Sequence, residues 1–352
     1  MAPIGVFQFA GVAQVTDPEA LAAVTGPIRV LDRSPLETVG YTTARHERLD
    51  VTLRTGEHRA LVVKRIQPST DWTACRSADR RGREGAMLAE PTLGAMWEPL
   101  ACPYVAFATE DDDVALVMED LTPFLFPDVR MPLPEEAEEQ LLTALATLHA
   151  RFWSSPALEL PWLAQPEHYA GLLDACCAAD TGARAPLPEL LREGIIRGWA
   201  RALERLPPAV ARVLAAPAAE VAWLWVGLPR TLLHGDAKVA NFAVLPNQRV
   251  AAIDWALLGA GPATFDVGWY LAVNATRLSR SKEDTLARYR ALLEARLLTP
   301  LPNGQWEALV RAGIVIGGRM LLWSKALAVE ADRPGAQAEW AWWVEHLDAA
   351  CA

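Results

Sequence analysis

The side chains best suited to chemistry lie in residues 231–271, where Asp236, Asn241 and Asp254 supply two carboxylates and an amide. A short apolar run leads into the tripeptide HGD that ends at Asp236. Two strand-like pieces, FAVL and VAAID, then flank a turn and predict a hairpin. If the hairpin is centred between residues 247 and 248, Asn241 faces Asp254 across it.

This pairing predicts a binding site for Mg2+. Hard cations prefer oxygen ligands and keep several waters, so Asn241, Asp254 and nucleotide phosphates would make a suitable ligand set. Asp236 is then free to accept or orient the proton of an acceptor hydroxyl, as phosphoryl transfer requires. Each residue alone is more typical of an ordinary turn or strand end, whereas the combination favours the functional interpretation.

The elements that must position these residues fall into two groups. The first third of the chain predicts a small sheet, with a hairpin turning at Gly56 and a second at the acidic turn 110–113. Its expected number of strands, five, is what the resemblance named below implies. One helix is expected from about Ser77, weakened by two glycines and Pro91. After Leu121 a Pro-rich link leads into EEAEEQLLTALATLHARFW, whose apolar residues recur at helical spacing, and most of the remainder also predicts helices.

The motifs of residues 231–271 resemble the aminoglycoside phosphotransferase and choline kinase-like superfamily, relatives of the protein kinases. The segments HGDAKVAN and IDW match its HGDxxxxN and I-D-[FW] elements. Two further segments, LATLHARFW and GPATFDVGWYL, are similar to a helix and a turn of the family, and the resemblance spans about residues 39–271.

The resemblance implies an α+β, bilobal protein kinase-like fold. Residues 1–121 would form an N-lobe, a small antiparallel sheet with one helix, that binds ATP. Residues 122–352 would form a larger, mainly helical C-lobe with the catalytic loop, the metal site and the acceptor-binding helices. Asp236 would be the catalytic base, and Asn241 and Asp254 the ligands of Mg2+.

In the N-lobe the resemblance implies that Lys64 binds the α- and β-phosphates and that Glu84 holds this lysine by an ion pair. A lysine on a strand is more often a solvated charge, and Glu90 competes with Glu84 for the role of its partner. Residues Glu119, Asp120 and Leu121 look like the hinge whose backbone binds adenine. The alternative is an edge strand that ends in a linker.

Three neighbouring features carry weaker expectations. Residues 38–42 offer one glycine where kinases often have several in the phosphate loop. His234 is expected to make a structural hydrogen bond within the catalytic loop. Asp266 is expected to cap a helix or brace a loop.

The acceptor is expected between the Asp236 loop and the C-terminal helices. In RAGIVIGGRMLLWSKALAVEA, the residues Arg319, Trp323, Leu327 and Glu330 share one helix face, which could stack a ring and hydrogen-bond its polar edge. The alternative is that Trp323 and Leu327 are core while Arg319 and Glu330 pair at the rim.

The composition excludes several other functions. The net charge of -10, without a basic block, argues against a nucleic-acid partner. The five cysteines lack zinc-site spacing and disulfide-scaffold density, the N-terminus lacks the features of a signal peptide, and the apolar stretches are too short for a membrane span. We therefore expect a cytoplasmic protein without a membrane partner, of open oligomeric state.

The leading hypothesis is an ATP- and Mg2+-dependent kinase that phosphorylates a hydroxyl of a small molecule, such as an aminosugar, a sugar, an aminoglycoside or a choline-like alcohol. The alternative is a non-catalytic, nucleotide-binding regulatory protein. A protein kinase is disfavoured because no D-F-G to A-P-E segment follows Asp254.

Overall fold

The computed structural model describes residues 5–37, 41, 43–127, 131–176 and 185–352. A six-stranded sheet in the order β1-β5-β6-β4-β3-β2 forms from the first third of the chain. Its strands are β1 (Phe7–Phe9), β2 (Ile28–Pro35), β3 (Arg45–Leu53), β4 (His58–Ile66), β5 (Tyr104–Glu110) and β6 (Asp113–Glu119). Both predicted hairpins are present, β3–β4 with Gly56 at φ +90 and β5–β6. The expected five-stranded antiparallel sheet was wrong in one respect, because β1 adds a sixth strand parallel to β5.

The two faces of this sheet pack against different parts of the chain. Leu61 and Val63 belong to a small core beneath α1 (Pro18–Thr25). Val62 belongs to the main core of the protein. Because side chains alternate along a strand, Lys64 lies on the same face of β4 as Val62, towards the rest of the molecule.

The helix expected from Ser77 is two short helices, α2 (Trp72–Arg76) and α3 (Arg83–Ala89). Gly82 precedes α3 with φ +70, and a Cβ there would lie 2.2 Å from Val114 Cγ2. The left-handed backbone of Ala78, with φ +56, and of Gly82 interrupts the helix expected from Ser77, and the close packing against β6 leaves space only for glycine at position 82. Together with α1, the sheet has three associated helices instead of one.

The rest of the described chain is mainly helical, with two short strand pairs. The helices are α4 (Glu135–Arg151), α5 (Pro166–Gly171), α6 (Glu189–Arg205), α7 (Pro208–Ala215), α8 (Thr264–Val273), α9 (Lys282–Leu297), α10 (Asn303–Glu330) and α11 (Ala336–Cys351). The strands are β7 (Thr231–Leu233), β8 (Phe242–Val244), β9 (Val250–Ala252) and β10 (Gly259–Gly261), paired as β7–β10 and β8–β9. The α+β class, with the sheet first and the helices after it, is confirmed.

Helix α10 is the central helix of this part and packs against α8, α6 and α11. By length and composition its 28 residues are enough to cross a membrane, although the apolar stretches of the sequence were expected to be too short. However, 72% of its apolar window is buried inside the protein. The helix therefore has the surroundings of a core helix.

Candidate active site

Strand β7 delivers the loop 234–241, whose shape depends on a glycine and a histidine. Gly235 has φ +82, and a Cβ there would lie 2.2 Å from the carbonyl oxygen of Leu257, so a larger residue does not fit. His234 Nε2 donates to the Ile253 carbonyl at 3.1 Å, and its Nδ1 accepts from the Asp236 amide at 3.2 Å. The predicted structural hydrogen bond of His234 is confirmed. Burial lowers the pKa of His234, which favours the neutral ring that these two bonds require.

The hairpin β8–β9 is present, but its expected register was wrong by one residue. Phe242 pairs with Ala252, and the Ile253 amide donates to the Asn241 carbonyl at 3.0 Å, so Asn241 faces Ile253. The turn contains three residues, 246–248, with Gln248 at φ +64, and such turns are common in hairpins. Asp254, the residue after Ile253, also has a left-handed backbone conformation, with φ +64.

Three donors hold the carboxylate of Asp236. Trp269 Nε1 donates to Oδ1 at 2.7 Å, and Asn241 Nδ2 donates to Oδ2 at 3.0 Å. The Lys238 ammonium lies 3.0 Å from the same Oδ2. The Asp236 side chain is 18% exposed, so the carboxylate is fixed at a surface that a small molecule can reach.

The ammonium of Lys64 lies between two carboxylates from distant parts of the chain. Its Nζ is 2.6 Å from Glu84 Oε2 and 2.7 Å from Asp254 Oδ1. Lys64 and Glu84 are buried, whereas the Asp254 side chain is 36% exposed. Lys64 thus faces the partly exposed side chain of Asp254. The region around these two side chains and Asp236 is called the cleft below.

Glu84 also reaches the segment that carries Asp254. Its Oε1 accepts from the Trp255 amide at 3.2 Å and from the Tyr104 hydroxyl at 3.4 Å. The competing candidate, Glu90, instead caps a short 3-10 helix by accepting from the Thr92 amide at 3.0 Å. The lysine therefore pairs with Glu84 and not with Glu90.

The charges of Lys64, Lys238 and Asp254 stabilise one another, whereas burial outweighs the effect of Lys64 on Glu84 and raises the pKa of that carboxyl group. Burial disfavours the ammonium of Lys64, but Asp254 and Glu84 outweigh it and raise the pKa of Lys64. Burial likewise disfavours the carboxylate of Asp254, but Lys64 and Lys238 hold the pKa of Asp254 well below its ordinary value. At neutral pH the lysines are therefore cationic and Asp254 is anionic.

Two oxygens of this cluster remain open to a metal ion. Among the described residues, Asn241 Oδ1 and Asp254 Oδ2 accept no hydrogen bond, while Asn241 Nδ2 is bound to Asp236. An amide and a carboxylate oxygen suit Mg2+. In the described chain no three His, Cys, Asp or Glu side chains form a metal-binding group, so phosphate oxygens and water would have to complete the coordination.

The segment that was compared with a hinge begins at Glu119, the last residue of β6. Glu119 pairs with Arg59, and Asp120 Oδ2 lies 2.5 Å from Arg48 Nη1. Leu121 is buried with Ala101, Ala243 and Ala251. Of the loop compared with the phosphate loop, residues 38–40 and 42 lie outside the described part of the chain.

The helix face proposed for the acceptor packs inside the protein instead. Arg319 is fully buried and donates to the carboxylate of Asp174 and to four backbone carbonyls. Trp323 is 8% exposed and packs against Gly194 and Gly198 of α6. The expectation that Arg319 and Trp323 contact an acceptor was wrong, because their side of α10 faces α5, α6 and α7.

Glu330, the third residue proposed for the acceptor, lies at the end of α10, where its carboxylate is 3.7 Å from Arg201. The alternative assignment of Trp323 to the core is confirmed. The expected pairing of Arg319 with Glu330 is absent, because Arg319 binds Asp174.

Three residues of the site were missed by the sequence analysis. Lys238 and Trp269 both stand in the quoted motif segments, and their bonds to Asp236 appear only when the loop and α8 are folded together. Arg83, next to Glu84, donates to the Ala256 carbonyl at 2.6 Å and to the Trp162 carbonyl at 3.0 Å. Arg83 therefore helps to fix α3 against the segment that follows Asp254.

A comparison with protein-family models matches residues 45–301 to the phosphotransferase enzyme family, APH. This match covers most of the chain, including Lys64, Glu84, Asp236, Asn241 and Asp254. A comparison with curated protein sequences gives no significant match.

Solved structures with a similar fold include the choline kinase LicA from Streptococcus pneumoniae, with 14% identity over 94% of this chain and 97% of LicA, and a TM-score of 0.50. The macrolide 2'-phosphotransferase MphH from Brachybacterium faecium matches with 19% identity over 97% of this chain and 96% of MphH, with a TM-score of 0.47. An aminoglycoside phosphotransferase from Alicyclobacillus acidocaldarius matches with 15% identity, coverages of 95% and 94%, and a TM-score of 0.44. The likeness to LicA concerns the fold.

The assignment of Lys64 to Glu84 gives a stability prediction. Replacing Glu84 by Ala leaves the buried ammonium with Asp254 as its one carboxylate partner, so the free energy of unfolding should fall by about 3–5 kcal/mol. Glu90→Ala removes a helix cap and should cost about 1 kcal/mol. Urea unfolding of both variants measures the difference, and equal losses would contradict the assignment.

Proposed function

The chain belongs to the phosphotransferase enzyme family, and from this premise we propose that it is an ATP- and Mg2+-dependent kinase that phosphorylates a hydroxyl group of a small molecule. The main support is the convergence of Lys64 from the sheet and Glu84 from α3 with Asp254 from the second half of the chain. Asp236 lies on the neighbouring loop and is joined to Asn241 by a hydrogen bond. This is the set of charges that phosphoryl transfer needs for positioning and neutralisation.

The nucleotide would lie beneath the sheet, with residues 1–121 as its binding lobe. Lys64, cationic and directed into the cleft, is suited to the α- and β-phosphates. Residues Glu119, Asp120 and Leu121 would bind the adenine through their backbone. In the described chain the Leu121 amide has no hydrogen-bond partner, whereas the Glu119 and Asp120 amides are bound to the Pro103 and Ala60 carbonyls.

Asn241 and Asp254 would hold Mg2+ through their open oxygens. A bound Mg2+ neutralises charge on the phosphate oxygens. Lys238 lies close enough to Asp236 and Asp254 for both carboxylates to raise its pKa, and its side chain is 37% exposed. We therefore propose that Lys238 binds the phosphoryl group while it is transferred from the nucleotide to the acceptor hydroxyl.

Asp236 would act as the catalytic base for the acceptor. Its carboxylate is partly exposed and fixed by three donors, so it can orient a hydroxyl and take its proton. An aminosugar, a sugar, an aminoglycoside or a choline-like alcohol each carries such a hydroxyl. The presence of Lys64, Asp236, Asn241 and Asp254 together favours this catalytic role over non-catalytic nucleotide binding.

Replacing Asp236 by Asn should abolish most phosphoryl transfer while leaving binding of Mg2+-nucleotide nearly intact. A positioned base contributes about a hundred- to ten-thousandfold in rate, and kcat should fall by about that factor. Calorimetric titration with a non-hydrolysable ATP analogue checks the binding. Asp348→Asn, an exposed change on α11, is the control, and activity of Asp236→Asn within about tenfold of wild type would remove Asp236 from the mechanism.

Replacing Asp254 by Ala should instead abolish the effect of Mg2+ on nucleotide affinity, because the carboxylate ligand is lost. Without metal, affinity should be unchanged or higher, since Lys64 no longer shares its ammonium with Asp254. Nucleotide titrations with Mg2+ and with EDTA measure both effects. An unchanged dependence on Mg2+ would contradict the assignment of Asp254.

A further inference from the structure

Helix α8 and the residue directly after it hold the catalytic loop at three points. Asp266, in its first turn, accepts from the His234 amide at 2.7 Å and the Gly235 amide at 2.8 Å, which is the loop brace that was expected of it. Asn274, directly after the helix, accepts from the Val239 amide at 2.9 Å and donates to the Ala237 carbonyl at 3.1 Å. These two residues fix the backbone on either side of Asp236.

The third point is Trp269, which contacts the carboxylate itself. Its indole Nε1 donates to Asp236 Oδ1 at 2.7 Å, and the side chain of this residue is largely buried at 8% exposure. An indole N–H is a donor and never an acceptor, so it can orient the carboxylate without competing for the proton of a hydroxyl. The buried ring also makes direct stacking against a substrate a poor explanation for its position.

The position of α8, and so of Trp269, is set by its crossing with α10. A Cβ at Gly268 would lie 1.9 Å from the carbonyl oxygen of Gly313, and one at Gly317 would lie 2.5 Å from that of Gly268. The two backbones are thus in direct contact, and there is no space in which α8 could shift towards α10. Trp269, next to Gly268, is therefore held by rigid backbone.

The donors divide the two oxygens of Asp236 unequally. Oδ2 receives Asn241 Nδ2 and the Lys238 ammonium, which occupy both of its lone pairs. Within the described part of the chain Oδ1 receives Trp269 alone, which leaves one lone pair for the acceptor.

We propose that Trp269 is a positioning residue that fixes Asp236 so that Oδ1, and not Oδ2, receives the proton of the acceptor hydroxyl. This inference rests on the proposed function. In the step, the hydroxyl oxygen bonds to the γ-phosphorus of ATP, and its proton moves to Oδ1. The bond from the γ-phosphorus to the bridging oxygen breaks, and its electron pair leaves with ADP.

The bond is tested directly by the indole N–H signals in a 1H–15N NMR spectrum. Asp236→Asn removes the negative charge but keeps the shape, so the Trp269 signal, identified by its absence in Trp269→Phe, should move upfield in Asp236→Asn. This measurement needs no acceptor and no activity. A Trp269 signal that is unchanged in Asp236→Asn would overturn the proposal.

The catalytic consequence is tested by Trp269→Phe, which keeps an aromatic ring and removes the N–H. We expect kcat to fall by roughly ten- to a hundredfold, the effect of one hydrogen bond to a charged group. Mg2+-nucleotide affinity should stay within about twofold, because Trp269 acts on the acceptor side. The matched control is Trp199→Phe, since Trp199 is also buried and donates to the Leu173 carbonyl at 2.9 Å.

A kcat for Trp269→Phe equal to that of Trp199→Phe would overturn the role of Trp269, as would a parallel loss of nucleotide affinity. If Asp236→Asn is inactive while Trp269→Phe is fully active, this inference fails and the proposed function stands. If Asp236→Asn keeps activity within about tenfold of wild type, Asp236 is not the base and this inference fails, while the phosphotransferase activity stands. If the wild-type protein transfers no phosphate to any acceptor, the proposed function fails.

Discussion

The buried ammonium of Lys64 is the constraint on which the rest of the site depends. A cation taken out of water must be neutralised by well-placed anions, and here Glu84 and Asp254 do so at 2.6 and 2.7 Å. This requirement joins β4, α3 and the segment after β9. Glu84 extends the connection through the Trp255 amide, and Arg83 does so through the Ala256 carbonyl. The ion pairs that join the sheet to the helices therefore also position Asp254. They use its Oδ1 and leave its Oδ2 without a hydrogen bond among the described residues.

The catalytic loop depends on a second, separate support. Its backbone is bound by Asp266 and Asn274 from α8, and α8 is fixed by the glycine contacts with α10. A site held by rigid helices keeps its geometry without a bound partner. The two supports meet at His234, which joins the loop to the Ile253 carbonyl, one residue before Asp254. Asp236 and Asp254, the proposed base and metal ligand, are thus positioned by independent packing that converges on one short segment.

Much of this arrangement follows from local sequence, and the rest depends on contacts between distant segments. The hairpins, helix α4 and the pairing of Lys64 with Glu84 were predicted because alternation, helical spacing and family motifs are encoded locally. The register of β8–β9 was predicted wrongly because it depends on the left-handed backbone conformation of Gln248, which a glutamine in the sequence does not indicate. The face of Arg319 and Trp323 was misassigned because periodicity shows that residues share a face but not which neighbour covers it. The donors Lys238 and Trp269 became visible only once α8 was placed beside the loop.

The central claim is that phosphate moves from nucleotide to a small hydroxyl compound at this site. It is tested most directly by incubating the protein with γ-labelled ATP, Mg2+ and a panel of hydroxylated metabolites and aminoglycosides, and by following the label. The account predicts that the label appears in one class of acceptor and that this transfer requires Mg2+. Tight binding of Mg2+-nucleotide with no transfer of label to any member of the panel would contradict it and would favour a non-catalytic nucleotide-binding protein.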